Sequence, residues 1–141
     1  GTGTDLPAAL HYLNSVQKRR AVVFVVSDFL CSGYESALQI ANRRHDVIAA
    51  VVSDPREETL PDAGLICVRD AETGREVLVN SSDPRIRKSY ESKARQRIHE
   101  RDHIFRRTKI DAMKVRTDAS YVDELYRFFR MRERRSAGRT G

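Results

Sequence analysis

Two side chains with oxygen donors, Thr4 and Asp28, stand where the sequence predicts secondary-structure elements to begin or end. Asp28 follows the apolar run 21–26, and Thr4 lies in a glycine-containing segment before a predicted helix. Ligands of open α/β sheets bind at the carboxyl edge of the strands, which both residues could reach. A hydroxyl and a carboxylate are hard donors that suit Mg²⁺ or Mn²⁺ rather than zinc. Because an octahedral ion requires more ligands, a helix-start threonine and a helix-capping aspartate are the alternative interpretation.

A second pattern, His99-Glu100-x-x-His103, matches the zinc-metallopeptidase signature. On a helix, histidines four residues apart share a face and can bind one Zn²⁺, with the glutamate as general base. The two intervening residues are charged, and Glu124, a possible third ligand, lacks the surrounding motif of such enzymes. The alternative is a pair of surface histidines on a charged helix. We favour that alternative, and we therefore expect no catalytic residue and no enzyme activity.

Charge is divided unevenly along the chain. Residues 1–84 carry a net charge of −4, and residues 85–141 carry +10. A basic half of this kind can bind an acidic partner or nucleic acid, with an affinity that falls steeply with salt. It contains no nucleic-acid motif and no interleaved aromatic residues, so the solvated face of a long helix is the favoured explanation and no nucleic acid is expected. The two cysteines, Cys31 and Cys67, form no disulfide framework or zinc spacing, which favours a reducing compartment.

The elements that position these residues follow from the apolar pattern. The valine-rich run Ala21–Ser27 predicts a strand buried on both faces at the centre of a parallel sheet. Helices are predicted on either side of it, from Leu6 to Val16 and from about Tyr34 to Arg44. The next apolar run, Val47–Ser53, completes a β-α-β order, which predicts parallel pairing with a right-handed crossover.

Beyond this unit the pattern changes. We predict a hairpin from Gly64–Arg69 and Glu76–Val79, then a long helix from Pro84, a strand at 110–115 nearer an edge, and a final helix. Residues 1–135 are predicted to form one α/β domain, an open and mostly parallel sheet with helices on both faces, and residues 136–141 a disordered tail. No apolar run approaches the roughly 20 residues of a membrane-spanning helix, and no signal peptide is apparent. We therefore expect a cytoplasmic protein.

Several segments carry a family resemblance. The strand end Val25–Leu30 resembles the hydrophobic-Ser-Asp strand end of von Willebrand factor A-like domains, and Gly3–Leu10 resembles their G-T-D-L-x-x-A-L segment. Further segments look like the C-terminal half of one bacterial family, the domain of unknown function fifty-eight: His45–Val47, Asp54–Glu57, Leu60–Leu65 and Phe128–Arg130. Members of that family are commonly encoded beside MoxR-type AAA+ ATPases. The likeness runs from about Thr2 to Arg135.

The resemblance implies a Rossmann-type fold with a metal-ion-dependent adhesion site. Thr4 would match the family's second-loop threonine and Asp28 its third-loop aspartate, both as ligands of Mg²⁺ or Mn²⁺. The first-loop element, Asp-x-Ser-x-Ser, occurs nowhere in this sequence. That element lies upstream in the family, so we expect a fragment lacking the first strand and helix, with weak or absent metal binding.

The function implied by the resemblance is a non-enzymatic protein-interaction module. Its implied partner is a MoxR-type AAA+ ATPase, through genomic association. Any membrane attachment would reside in regions outside this chain.

Overall fold

The computed structural model describes residues 5–70 and 73–139. Its elements, in chain order, are α1 (Leu6–Val16), β1 (Val22–Ser27), α2 (Glu35–Arg44), β2 (Asp46–Ser53), α3 (Pro55–Glu58), β3 (Leu65–Arg69), β4 (Glu76–Asn80), α4 (Pro84–Thr108), β5 (Asp111–Arg116) and α5 (Tyr121–Arg139). The described residues therefore form a mixed α/β fold, as the sequence predicts. None of the described helices combines the length and apolarity needed to cross a bilayer.

Aspartates fix the starts of three helices. The Asp5 carboxylate accepts a hydrogen bond from the Ala8 N–H at 3.0 Å at the start of α1. Asp54 and Asp83 cap α3 and α4 in the same way, and each is followed by a proline. A capping side chain satisfies an otherwise unpaired N–H, and proline at the first helical position costs no hydrogen bond. The short helix α3 is not among the predicted elements, although its Asp-Pro start is visible in the sequence.

The main sheet has the strand order β1-β2-β5, with both pairings parallel. The central strand is β2, in which residues 47–51 are all buried. The prediction that β1 lies at the centre, buried on both faces, is wrong. In the described sheet β1 is an edge strand, and Val22, Phe24 and Val26 are 58%, 43% and 68% exposed. Val25 on the inward face of β1 packs into the larger core, whereas on the other face Phe24 makes an edge contact with the Phe129 ring of α5, at 6.1 Å between ring centres. The two faces differ because residues along a strand point alternately to its two sides.

Helices lie on both faces of this sheet. One face packs against α1, α2 and α4 in a core that includes Leu10, Leu38, Val47 and Phe105. The other face packs against α5 in a smaller cluster of Ile48, Ala50, Met113 and Phe128. The predicted arrangement of an open, mostly parallel sheet with helices on both sides is confirmed at this level. The carboxyl ends of β1 and β2 form the edge of the sheet that α1, α2, α3 and α4 surround.

Helix α5 is anchored to the opposite, amino edge of the sheet by Arg132. Its Nη2 lies 2.7 and 2.5 Å from the two carboxylate oxygens of Asp46, and its Nε lies 3.3 Å from Asp111. Arg135, one turn further along, also pairs with Asp111. The helix continues to Arg139. Residues 136–139 are therefore helical, where the sequence predicts a disordered tail.

The predicted hairpin forms a separate two-stranded sheet from β3 and β4. Its base is closed by Ser81, which is fully buried. The Ser81 Oγ donates a hydrogen bond to the Gly64 carbonyl at 2.7 Å and accepts one from the Ala63 N–H at 3.0 Å. A two-stranded sheet is marginal alone, so this side chain helps to fix the hairpin where the chain enters α4.

Candidate functional site at the carboxyl edge of the parallel sheet

Asp28 lies exposed at the carboxyl end of β1. Its Oδ1 accepts a hydrogen bond from the Leu30 N–H at 3.1 Å, while the neighbouring Ser27 Oγ accepts one from the Phe29 N–H at 3.1 Å. Asp28 does not cap a helix, since α2 begins only at Glu35. Within the described ranges no arginine or lysine forms an ion pair with it. Asp28 thus presents an exposed carboxylate at the carboxyl edge of the sheet.

Thr4, the second predicted ligand, lies outside the described residues. The next residue, Asp5, indicates where the start of α1 lies. The pKa of the Cys31 thiol is raised by partial burial and further by the negative charges of Asp28 and Asp5, against an opposing backbone hydrogen bond. Both carboxylates are therefore close to Cys31, which places the start of α1 at the same edge of the sheet as Asp28.

A third group at this edge comes from α3. Burial raises the pKa of Glu57, and the charges of Asp28 and Asp54 raise it further. Two influences oppose this rise: a hydrogen bond from the backbone of Asp54, and the positive charge of Arg97 on α4. The loops after β1 and β2 thus bring three carboxylates within electrostatic range of one another, with one arginine beside them.

These groups do not complete a metal site by themselves. Within residues 5–70 and 73–139, no three histidine, cysteine, aspartate or glutamate side chains converge on a position that could hold an ion. An octahedral Mg²⁺ requires six oxygens at about 2.0–2.1 Å. The described donors do not fit a resident ion unaided.

Asp28 is followed by a residue with unusual backbone geometry. Phe29 has φ of 56°, in the left-handed region that a bulky residue rarely adopts. Its buried ring is held edge-on by the rings of Tyr34 at 5.5 Å and Phe105 at 5.0 Å. Tertiary packing therefore compensates the strain, and it fixes the direction in which the chain leaves Asp28.

A cleft of about 950 Å³ opens from Phe29 between the 29–36 loop, α2 and α4. Its walls include Arg97 and Arg101 from α4 and the aromatic ring of Tyr34. Burial raises the pKa of Tyr34 to about 12, and the nearby Cys31 thiol adds to the rise. The Tyr34 hydroxyl therefore stays protonated at any physiological pH. The cleft offers both hydrogen-bond donors and an apolar wall beside Asp28.

Sequence reasoning missed Arg97 and Arg101 as site residues. It treated the charged residues of this helix as solvated faces. Ala94, Arg101 and Phe105 are in fact buried and Arg97 is partly buried, so two arginines continue the inward stripe past Ala94. The spacing 94, 97, 101, 105 places these residues on one helix face, and this was the available signal.

The two histidines of the zinc pattern are on α4 but are not part of the cleft lining. His99 and His103 are both exposed, and among the described residues no third ligand joins them. Glu124, the possible third ligand, is on α5 and pairs with Arg127 at 3.3 Å. This arrangement is that of surface histidines.

The sequence is similar to one protein family and to several mycobacterial proteins. Residues 1–100 match the family described as proteins of unknown function, DUF58. The chain belongs to the DUF58 family. An uncharacterized protein of Mycobacterium avium is 32% identical over 137 residues, which cover 95% of this chain and 79% of that protein. An uncharacterized protein of Mycobacterium tuberculosis is 31% identical over 135 residues, 95% of this chain but only 42% of that relative. No solved structure matches the chain.

The DUF58 match confirms the family predicted from the sequence segments. The matched residues include Asp28, Asp54, Glu57 and Arg97, and they end before His103. The carboxyl-edge groups thus belong to the part of the chain that defines its DUF58 membership. The names of the relatives describe no activity, so the function is argued from the geometry.

Proposed function

We propose that this DUF58 chain is a non-enzymatic protein-interaction module of the von Willebrand factor A-like type, whose partner binds at the carboxyl edge of the parallel sheet. One observation carries the proposal: the exposed carboxylate of Asp28, which no described lysine or arginine neutralises. An unpaired charge on a surface where ligands approach open α/β sheets is available to a partner. The described site offers no converging catalytic groups, which is why recognition is preferred to catalysis.

The proposed adhesion site comprises Thr4 and Asp28, with Mg²⁺ or Mn²⁺ as its ion in a longer protein. Such an ion would supply a positive charge, and a carboxylate of the partner could complete its coordination shell. Because the described donors do not suffice for it, we propose that this chain alone binds the ion weakly or not at all. Calorimetric titration of the chain with Mg²⁺ tests this point, and micromolar binding that is lost in Asp28→Asn would contradict it.

We further propose that a longer DUF58 protein completes the sheet beside β1. The exposed apolar row on β1 supports this proposal, because an unprotected apolar edge strand pairs readily with another strand. The length of the Mycobacterium tuberculosis relative, of which this chain spans 42%, leaves ample sequence for an additional strand and helix.

The proposed partner is a MoxR-type AAA+ ATPase, which the family resemblance implies through genomic association. Biolayer interferometry with the purified ATPase tests the proposal, with Asp28→Asn compared against Glu133→Gln, an exposed acidic residue on α5. Loss of a recognised charge at an interface is expected to weaken binding about tenfold or more in Asp28→Asn. Glu133→Gln should bind as the unmodified protein does. Equal affinity of all three proteins, or no binding of the ATPase, would refute the proposal.

A further inference from the structure

Arg97 differs from its neighbours in the cleft because it has no direct partner. Its Nε is buried, and the Nε–H finds no hydrogen-bond acceptor within the described residues. None of their carboxylates forms an ion pair with its guanidinium. Arg101, one turn away, pairs with Asp102 at 3.4 Å. A buried donor without an acceptor is costly, so the position calls for a group that supplies one.

The other charged side chains of the cleft are already engaged. The Arg107 Nε donates to Glu35 at 2.6 Å, and Glu100 accepts from Gln96 at 3.3 Å. Among the described residues that line the cleft, Arg97 is therefore the cation without a direct hydrogen-bond or ion-pair partner. This cation is also close enough to Glu57 to oppose the rise of its pKa. Arg97 thus borders both the cleft and the carboxylates at the end of the sheet.

We propose that Arg97 is the specificity residue of the carboxyl edge and binds a carboxylate side chain in an acidic peptide segment of a protein partner. The inference rests on the proposed function, since it takes this edge as the partner-binding face. The planar guanidinium matches a carboxylate with two parallel hydrogen bonds. Phe29, Leu30 and Ile104 in the cleft wall would contact an apolar residue beside the acidic one.

The surrounding charges distinguish a carboxylate from a phosphate. Glu57 is influenced by the charges of Asp28, Asp54 and Arg97 together, so these three carboxylates belong to the electrostatic surroundings of Arg97. Their negative charges repel a dianion more strongly than a monoanion. A singly charged glutamate or aspartate is therefore the favoured ligand, and an inorganic phosphate is the alternative outcome that the experiment must separate.

The test uses the ¹H–¹⁵N NMR signal of the Arg97 Nε–Hε group, assigned by its absence from Arg97→Gln. The probe is acetyl-Phe-Glu-Glu-Phe-amide in phosphate-free buffer with EDTA, and acetyl-Phe-Gln-Gln-Phe-amide is its neutral match. We expect the acidic peptide to shift the signal and the neutral peptide to leave it unchanged. We also expect Arg97→Gln to weaken binding of the acidic peptide about tenfold or more, because a charge-assisted bidentate contact is lost. Arg97→Lys, which keeps the charge without the fork, should bind with intermediate affinity.

Arg95→Gln is the matched control, since Arg95 is exposed two residues away on the same helix. Equal weakening in Arg95→Gln and Arg97→Gln would show attraction by overall charge and overturn the inference. Tighter binding of phosphate than of the acidic peptide would overturn the assignment to a carboxylate. Because EDTA removes free divalent ions, a failed metal site leaves this readout intact. A partner that requires Asp28 but leaves the Arg97 signal unmoved would refute this inference and retain the proposed function.

Discussion

Replacement of Arg97 by methionine should stabilise the fold while removing the proposed recognition contact. In the native chain the Arg97 Nε is buried without a described acceptor. An unsatisfied buried donor costs about 1–3 kcal/mol, whereas the screened attraction between Arg97 and Glu57 contributes roughly 0–1 kcal/mol. Methionine retains the apolar stem that packs on the inner face of α4. The net expectation is a gain of about 1 kcal/mol in the free energy of unfolding, or about 4 °C in Tm for a domain of this size.

Urea unfolding followed by far-ultraviolet circular dichroism measures this change, since the chain has no tryptophan for fluorescence. Two matched variants set the scale. Arg101→Met removes a buried arginine that is paired with Asp102 and should lower the free energy of unfolding by about 2 kcal/mol. Arg95→Met changes an exposed residue and should fall within about 0.5 kcal/mol of the native value. If Arg97→Met instead lowers the free energy of unfolding by about 1 kcal/mol or more, as removal of a hydrogen-bonded buried group would, the reasoning is refuted.

Four further predictions follow from the described contacts. Arg132→Met should lower the free energy of unfolding by about 1–2 kcal/mol, because the partly buried Asp46 loses its cation while Asp111 keeps Arg135. Arg130→Met, at an exposed neighbour, should change it little, and urea titrations compare the two. Ser81→Ala should cost about 1 kcal/mol in the same assay, because the Ala63 N–H loses its acceptor while the Gly64 carbonyl keeps the Ser81 backbone N–H at 2.7 Å. Hydrogen bonds from the Arg85 side chain and backbone hold the pKa of Asp83 below its ordinary 3.8. This carboxylate therefore stabilises the fold above that pH, and the contribution is lost as the pH falls below it. In acid, the free energy of unfolding of Asp83→Asn should decline less steeply than that of the native chain. Purified chain should contain no stoichiometric zinc by atomic absorption, and His103→Gln should leave that content unchanged, whereas one zinc per chain that depends on His103 would restore the peptidase hypothesis.

The sequence predicts the elements well and their neighbours less well. Valine-rich runs identify β1 and β2, two of the three parallel strands, yet they do not tell a central strand from an edge strand, because β1 and β2 are similarly apolar. Which strand is central depends on which chains lie beside it, and that is a property of the tertiary structure. The three exposed residues of β1 carry the same apolar signal that buried residues would.

The candidate site was predictable in part. Asp28 is recognisable from its position after a strand, because the carboxyl edge of a parallel sheet is a known place for ligands. Arg97 was not recognised, since charged residues on a charged helix are normally solvated. Its burial follows from the stripe that it shares with Ala94 and Phe105, and the missing partner of its Nε becomes visible only in three dimensions.

The most direct test of the central claim is hydrogen–deuterium exchange of the protein with and without the proposed partner, a MoxR-type AAA+ ATPase. The amides of residues 28–36 and 54–58, which form the carboxyl edge and the cleft, should become protected in the complex. The amides of the exposed strand row on β1 and of α5 should exchange as in the free protein. Protection confined to α5 or to the hairpin, with residues 28–36 unchanged, would contradict the account.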